Sequence, residues 1–265
     1  MPHAEVDVDD VLLRIERAFD AADGALAPFT PGEVAARQKA GGDPVTDADL
    51  ALDTALKAVL LRDGEGWLSE ETTDDKARLD HAQLWIVDPL DGTKEFVKGV
   101  PEWCVSIAFV DGGVPVAGGI YNPATQQRIV GAVGQGVQLN GEAIRVEAKG
   151  ALDGGQVLAS NSELKRGEWD AFMGQPYEVK PTGSVAYKLG LVAAGLAEAT
   201  WTLCPKNEWD VAAGVALVHA AGGHTWLKGG GQRVFNQEDP LLPGLLACGP
   251  GLQPAVAAAT GESAD

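Results

Sequence analysis

Leu84-Trp85-Ile86-Val87-Asp88-Pro89-Leu90-Asp91-Gly92-Thr93 is the stretch on which the reading of this chain turns. Four apolar residues run straight into an acid. A short apolar run bounded by turn residues predicts a buried strand, here delivering Asp88 at its C-terminal end. A charge in that position is costly unless something compensates it. Asp91 follows three residues later, and Pro89 stiffens the turn between them. Both carboxylates and the Leu90 carbonyl can then point at one centre. They are hard oxygen donors, suited to magnesium rather than zinc. Gly92 lets the backbone approach a phosphate, and a helix beginning near Thr93 would offer free N–H groups to it. Taken alone, the segment also reads as an ordinary strand-to-loop turn with its acids in solvent.

Working outward, Val11, Leu12, Ile15, Ala18 and Phe19 recur at helical spacing and predict an amphipathic helix. Ala40-Gly41-Gly42-Asp43-Pro44 breaks that pattern and predicts a turn that includes Asp43. A second helix is expected over about 47–62, with Leu52, Leu56, Val59 and Leu60 on its apolar face and Thr46 or Asp47 as its cap. Strands are expected over 103–110 and 114–121, joined at Gly112-Gly113, and the meander continues over 127–132 and 136–139 to a turn at Asn140-Gly141. After about residue 148 the texture changes. Strands are expected near 157–159, 197–203 and 245–248. Helices are expected over 162–172, 184–194 and 209–221 and near the end, with 260–265 frayed. The fold class is therefore mixed: an α+β half over residues 1–148 carrying the main acidic motifs, and an α/β half over 149–265 completing the site. No linker separates them, so they dock as one unit.

The chain has 265 residues, 45% of them hydrophobic, enough to bury a sizeable core. Its net charge of -18 argues against nucleic acid, since neutralising a phosphate backbone takes Lys and Arg. An anionic substrate is reconciled with that charge if bound cations reverse the local field; most of the acidic excess reads as a solubilising surface. Cys104, Cys204 and Cys248 form no C-x-x-C pair, which argues against a zinc site of that kind, and Cys104 and Cys248 read as core thiols. The first residues carry acids rather than a basic apolar leader, and no run is long enough to cross a bilayer. A soluble cytoplasmic protein with no membrane partner is the expectation.

Three more acidic segments belong with the first: Val45-Thr46-Asp47-Ala48-Asp49, Ser69-Glu70-Glu71 and Trp209-Asp210. Each has a plain reading by itself. Asp210 caps the helix it opens, Asp47 is a helix N-terminal acid, Glu71 is a surface acid or a support for a ligand, and Trp209 packs. Lys39 reads as a solvated cation or a phosphate contact. The Asp88–Asp91 spacing does not fit an EF-hand loop. Haloacid-dehalogenase phosphatases keep their acids one residue apart, so the two-residue gap here counts against an aspartyl-phosphate enzyme.

In order along the chain, Val45-Thr46-Asp47-Ala48-Asp49, Glu70-Glu71, Asp88-Pro89-Leu90-Asp91-Gly92-Thr93 and Trp209-Asp210-Val211-Ala212-Ala213-Gly214 resemble the motifs of the inositol monophosphatase superfamily, magnesium-dependent and lithium-sensitive phosphatases. The resemblance runs from about residue 39 to residue 225. It implies a layered α-β-α-β-α sandwich of the sugar phosphatase type and a phosphoric monoester hydrolase that uses metal-activated water. It implies two to three Mg2+ ions: one on Glu70, Asp88 and the Leu90 carbonyl, a second on Asp88, Asp91 and Asp210, and a weaker third near Glu70 through water. Gly92 and Thr93 would give backbone N–H groups to the phosphate. Asp49 would pair with the Thr93 hydroxyl in activating the water, and Glu70 would orient or deprotonate it. Such an arrangement needs no Ser, Cys or His nucleophile. Relatives are commonly dimeric, which leaves a homodimer open.

For the substrate, Lys94-Glu95-Phe96 after the core motif, and Asp43-Pro44-Val45-Thr46, look more like the 3'(2'),5'-bisphosphate nucleotidase branch than like inositol monophosphatases. Lys206 would suit a second phosphate, or is a loop cation. Gly183 and Ser184 would contact the leaving group at the start of a helix. Leu203 stands where inositol phosphatases keep a sugar-binding Glu. Inositol 1-phosphate, fructose 1,6-bisphosphate and histidinol phosphate remain alternatives, as does a non-catalytic phosphometabolite-binding protein on the same scaffold.

Overall fold

The structure, a computed structural model, describes residues 5–39, 42, 44–231 and 234–262. The turn expected at Asp43, with Ala40 and Gly41, lies outside the described residues, as do the last three positions of the expected frayed tail. Helix α1 (Val8–Leu26) is followed by a small hairpin of β1 (Arg37–Gln38) and β2 (Pro44–Val45), then by α2 (Asp47–Leu60). A seven-stranded sheet comes next, from β3 (Gly66–Ser69), β4 (Gln83–Asp91), β5 (Cys104–Asp111), β6 (Val114–Asn122), β7 (Gln127–Ala132), β8 (Gly136–Leu139) and β9 (Glu142–Ile144), with α3 (Thr93–Val97) between β4 and β5. The second half contributes β10 (Gln156–Ser160), α4 (Asn161–Lys165), β11 (Glu178–Thr182), α5 (Val185–Ala193), β12 (Ala199–Thr202), β13 (Lys206–Asn207), α6 (Glu208–Ala220), β14 (His224–Leu227), β15 (Leu241–Leu242), β16 (Leu245–Cys248) and α7 (Gln253–Thr260).

The large sheet runs in chain order, β3 to β9, antiparallel throughout except for the parallel β3–β4 pair. The second sheet has the order β11-β10-β12-β16-β14, with β10 parallel to both its neighbours. Strand alternation divides the core into layers. Trp85 and Val87 of β4 face α1 and α2, where Ile15, Phe19, Leu52 and Leu56 are fully buried. Leu84 and Ile86 face the other way, onto α5 and α6, which also pack on Leu158, Leu227 and Leu245 of the second sheet. Beyond that sheet, α7 and residues 161–177 cover Trp169, Trp201 and Trp226. The layers are thus α1/α2, sheet, α5/α6, sheet and α7, the five-layer sandwich that the motifs implied.

Close packing of these layers demands glycine in β6. A Cβ on Gly118 would lie 2.6 Å from the Ala213 carbonyl oxygen of α6, and one on Gly119 would lie 2.3 Å from Ile15 of α1. Neighbouring strand residues point to opposite faces, so this pair lets both helices approach the same strand.

Three expectations change. The strand holding Asp88 does not end there but continues to Asp91. The 162–172 segment is a five-residue helix followed by a 3-10 turn at 170–172, not one helix, because Gly167 takes a left-handed conformation, φ +75°, that ends the first helix. Strands β3, β11 and β14 carry too few alternating apolar residues to stand out in sequence; their pairing is supplied by neighbours.

Candidate metal centre and phosphate cleft

The acids converge because of an irregularity in β4. Asp88 sits opposite Ser106 and Asp91 opposite Cys104, so β4 spends one residue more than β5 between these pairs. In an unbroken strand Asp91 would point to the α1/α2 side, opposite to Asp88. The extra residue, next to Pro89, which has no N–H to offer a ladder, returns Asp91 to the side of Asp88. Leu90 is buried on the α1/α2 side. Helix α6 packs on the same face as Asp88 and brings Asp210 there. One oxygen from each of Asp88, Asp91 and Asp210 lies within 4.8 Å of the others.

In each of these acids one oxygen is already held. Asp88 Oδ1 accepts from the Leu90 N–H at 3.0 Å. Asp210 closes a capping box on α6, its Oδ2 accepting from the Asn207 N–H at 2.9 Å. Asp91 Oδ2 accepts from Ser184 Oγ at 2.7 Å and from the Ala186 N–H at 2.6 Å. Asp88 Oδ2, by contrast, is buried and has no hydrogen-bond partner among the described residues. A buried carboxylate oxygen left this way is costly. Burial, with the charges of Glu70, Asp91 and Asp210 beside it, pushes the Asp88 carboxyl well above the usual carboxylate range. Burial, with Asp91 and Glu70 nearby, pushes Asp210 up to about 8. Crowded acids with an orphaned oxygen fit a hard divalent cation, which would satisfy the oxygen and offset the repulsion.

A second group of metal-type side chains, Glu163, Glu168 and Cys204, is different. Both Glu163 oxygens are occupied, by Thr202 Oγ1, the Leu203 N–H and Trp169 Nε1. Glu168 is paired with Arg166 at 2.6 Å. That group is already neutralised and leaves no open donors.

Asp49 and Thr93 come together, although 44 residues separate them. Thr93 Oγ1 donates to Asp49 Oδ1 at 2.9 Å, while Asp49 Oδ2 accepts from the Thr46 N–H and Thr46 Oγ1 at 2.8 and 2.6 Å. Asp49 thus closes the capping box of α2 with one oxygen and reaches the site with the other. Thr46 is the cap, and Asp47 is an exposed acid paired with Arg37. Glu70 and Glu71 follow β3, whose Ser69 is tied to Asp53 at 2.5 Å. Lys39 is neither solvated nor free for phosphate. It is half-buried and bridges Glu70 and Glu71 at 2.7 and 2.6 Å.

Glu70, Leu90, Asp91, Gly92, Thr93, Gly183, Ser184, Lys206 and Asp210 all line one cleft of about 550 Å³. Gly92 caps α3 with φ +100°, and a Cβ there would lie 2.9 Å from the Glu102 carbonyl oxygen and 3.0 Å from Trp103. Only glycine suits that position. Gly183 and Ser184 are less free for a leaving group than expected. The Gly183 N–H donates to Glu102 at 2.7 Å, and the Ser184 hydroxyl hydrogen goes to Asp91. Leu203 is packed against the aromatic core and offers no carboxylate.

Five lysines line the same cleft: Lys94, Lys98, Lys165, Lys188 and Lys206. Sequence reading singled out Lys206 alone for a second phosphate. Lys188 is fully buried, bonded only weakly to the Thr182 carbonyl oxygen at 3.4 Å, and burial pushes its ammonium down to about 8. Its signal was present: it is the one charged residue from 181 to 197, in an otherwise apolar helix.

This five-layer sandwich with clustered carboxylates beside a cationic cleft defines a phosphatase of the metal-dependent type. The inositol monophosphatase family profile matches residues 11–263. The chain is 34% identical over 221 residues to an inositol-1-monophosphatase of Rhizobium meliloti, covering 80% of each. It superposes on the extragenic suppressor protein suhB of Bartonella henselae with a TM-score of 0.78 and 27% identity, over 96% of this chain and 98% of that one. It superposes on CysQ of Bacteroides thetaiotaomicron, a bacterial member of the inositol monophosphatase family, with a TM-score of 0.68 and 30% identity, over 91% and 95%. The chain belongs to the inositol monophosphatase family, whose members are metal-dependent phosphoric monoester hydrolases. Among the described residues, no helix is long and apolar enough to cross a membrane.

Proposed function

We propose that this protein is a magnesium-dependent phosphatase that removes one phosphate from a small metabolite carrying two, a 3'(2'),5'-bisphosphate nucleotide. The observation that carries the reading is the set of lysines in the cleft. A chain of net charge -18 gathers five lysines around one cavity, Lys188 within reach of the Asp91 charge and Lys206 within reach of Asp210. Ammonium groups pair readily with phosphate, and this many in one cleft favours a substrate with a second phosphate beyond the one at the metal centre. The name of the Rhizobium relative favours inositol 1-phosphate as the second reading; the lack of a carboxylate at Leu203, where inositol phosphatases keep a sugar-binding Glu, weighs against it.

Glu70, Asp88, the Leu90 carbonyl, Asp91 and Asp210 would hold the cations. When bound, magnesium supplies charge neutralisation and lowers the pKa of water. Thr93, donating to Asp49, keeps its lone pairs turned toward the cleft and can accept a hydrogen bond from a water there. Glu70, at the cleft wall, orients that water or takes its proton. The Gly92–Thr93 backbone closes the phosphate end, and the lysines fix the far end of the substrate.

A phosphate-release panel tests the reading, with adenosine 3',5'-bisphosphate, inositol 1-phosphate, fructose 1,6-bisphosphate and histidinol phosphate in Mg2+. The bisphosphate nucleotide should have the highest kcat/KM, and EDTA should abolish release. Preference for inositol 1-phosphate would overturn the substrate; activity surviving complete chelation would overturn the metal. Tight Mg2+-dependent binding with no turnover on any substrate would identify a binding protein instead.

A further inference from the structure

Ser184 is held in a backbone conformation that serine rarely adopts, φ +56° and ψ +126°. A serine capping a helix ordinarily has extended backbone with negative φ, and a glycine would adopt this conformation without strain. Strain of this kind persists where surrounding structure enforces it, and it concentrates at functional sites. The residue is buried, and its hydroxyl has three neighbours, one of them Cys104 Sγ at 3.4 Å. Oγ accepts from the Tyr187 N–H at 2.9 Å, so its hydrogen is available to donate, and it goes to Asp91 Oδ2 at 2.7 Å. The Ala186 N–H, in the first turn of α5, donates to the same oxygen at 2.6 Å. Asp91 therefore has one oxygen pinned by two donors from the start of a nine-residue helix.

We infer that Ser184 is a positioning residue for the metal centre. Its strained backbone places the hydroxyl so that Asp91 presents its remaining oxygen to the cluster with Asp88 and Asp210. The inference rests on the reading that this cluster holds a divalent cation. A carboxylate free to rotate must be ordered when the cation binds, and one already fixed by hydrogen bonds need not be. Hydrogen-bonding partners of metal ligands typically alter affinity about ten- to a hundredfold.

Ser184→Gly separates this role from a structural one. Glycine relieves the strain and keeps the chain path, but removes the hydroxyl. The test is Mn2+ titration of the metal-free full-length protein by calorimetry, with no substrate present, alongside its melting temperature in EDTA. The expected result is Mn2+ affinity about tenfold weaker, with a metal-free melting temperature no lower than that of the wild type. Ser184→Thr, which restores a hydroxyl, should recover affinity while melting lower, since a β-branched residue tolerates positive φ worst. Wild-type affinity in Ser184→Gly overturns the inference while leaving the metal site standing. A fall in both affinity and metal-free melting temperature assigns Ser184 to the scaffold and also overturns it. A wild-type protein that binds no Mn2+ overturns the metal reading and this inference together.

Discussion

Asp88 concentrates the physical tension of the molecule in one side chain. It is fully buried, one oxygen is bonded to the Leu90 N–H, the other has no hydrogen-bond partner among the described residues, and three other acids surround it. Asp88→Asn should leave the metal-free protein at least as stable as the wild type, because a neutral amide avoids the cost of either burying the charge or taking up a proton on folding. It should cost at least about 100-fold in turnover, since several kcal/mol of charge stabilisation by the metal is lost. Asp210→Asn should behave similarly in turnover, though an Asn side chain can still cap α6. Phosphate release and thermal melting in EDTA check both; near-wild-type turnover in the two variants would remove these residues from the site. The lysines allow a different test. Lys188→Met should raise KM for a bisphosphate substrate more than it lowers kcat, whereas a purely structural role would lower the yield of folded protein and leave KM unchanged.

Among the elements, β6 and α6 depend most on close approach. Gly118→Val would drive a side chain into the Ala213 backbone, which cannot swing aside as a side-chain tip can. The expected loss is about 3 kcal/mol, at the upper end for overpacking, and urea denaturation measures it. Because α6 also carries Asp210, the same change should weaken metal binding. Helices α2 and α6 use one device twice. In each, the third helical residue is an aspartate that closes a capping box, and it also reaches a second partner: Asp49 accepts from Thr93, and Asp210 lies beside Asp88 and Asp91. Capping α6 therefore does not exclude Asp210 from the proposed metal centre. Strand β4 was legible as a buried strand, but its continuation past Asp88 was not. The extra residue that turns Asp91 back to Asp88's face is a property of the pairing with β5, which lies 13 residues downstream of Asp91 and announces no register.

At the scale of the whole molecule, α5 and α6 are shared by both sheets, so a common core joins the two halves between the cluster that each has of its own. We propose that residues 1–148 and 149–265 unfold together, and urea denaturation should give one transition by fluorescence and by circular dichroism. Stability should also depend on pH and on metal in a linked way. Asp88 and Asp210 hold protons in the folded state at pH values where the unfolded chain has released them. Their contribution is full below the unfolded value near 4 and is lost as pH rises through the folded value, about 8 for Asp210. In EDTA the protein should therefore become less stable from pH 5 to 8, by at most about 1.4 kcal/mol per pH unit for each group. Saturating Mg2+ should abolish or reverse that slope, because the cation replaces the protons and binds better as they leave. A metal-free protein whose stability rises across this range would contradict the crowding of these acids.

By itself the sequence determined most of the elements and the acidic motifs, and through its likeness to a family the layers. Helical and strand periodicities are local, and the four acidic motifs keep their order however the chain is folded. It also named Asp49 and Thr93 as partners, though only through family likeness, since nothing in the 43 intervening residues brings them together. Tertiary structure alone decided three things: which oxygen of each acid is free, that Lys39 bridges Glu70 and Glu71, and that Ser184 is bound to Asp91. It also collected lysines from 94 to 206 around one cleft. The reason is the same in every case. Hydrogen-bond geometry and burial arise between segments distant in sequence, from strand register and helix packing, and one residue of register in β4 decides whether Asp91 faces the metal site or the opposite core.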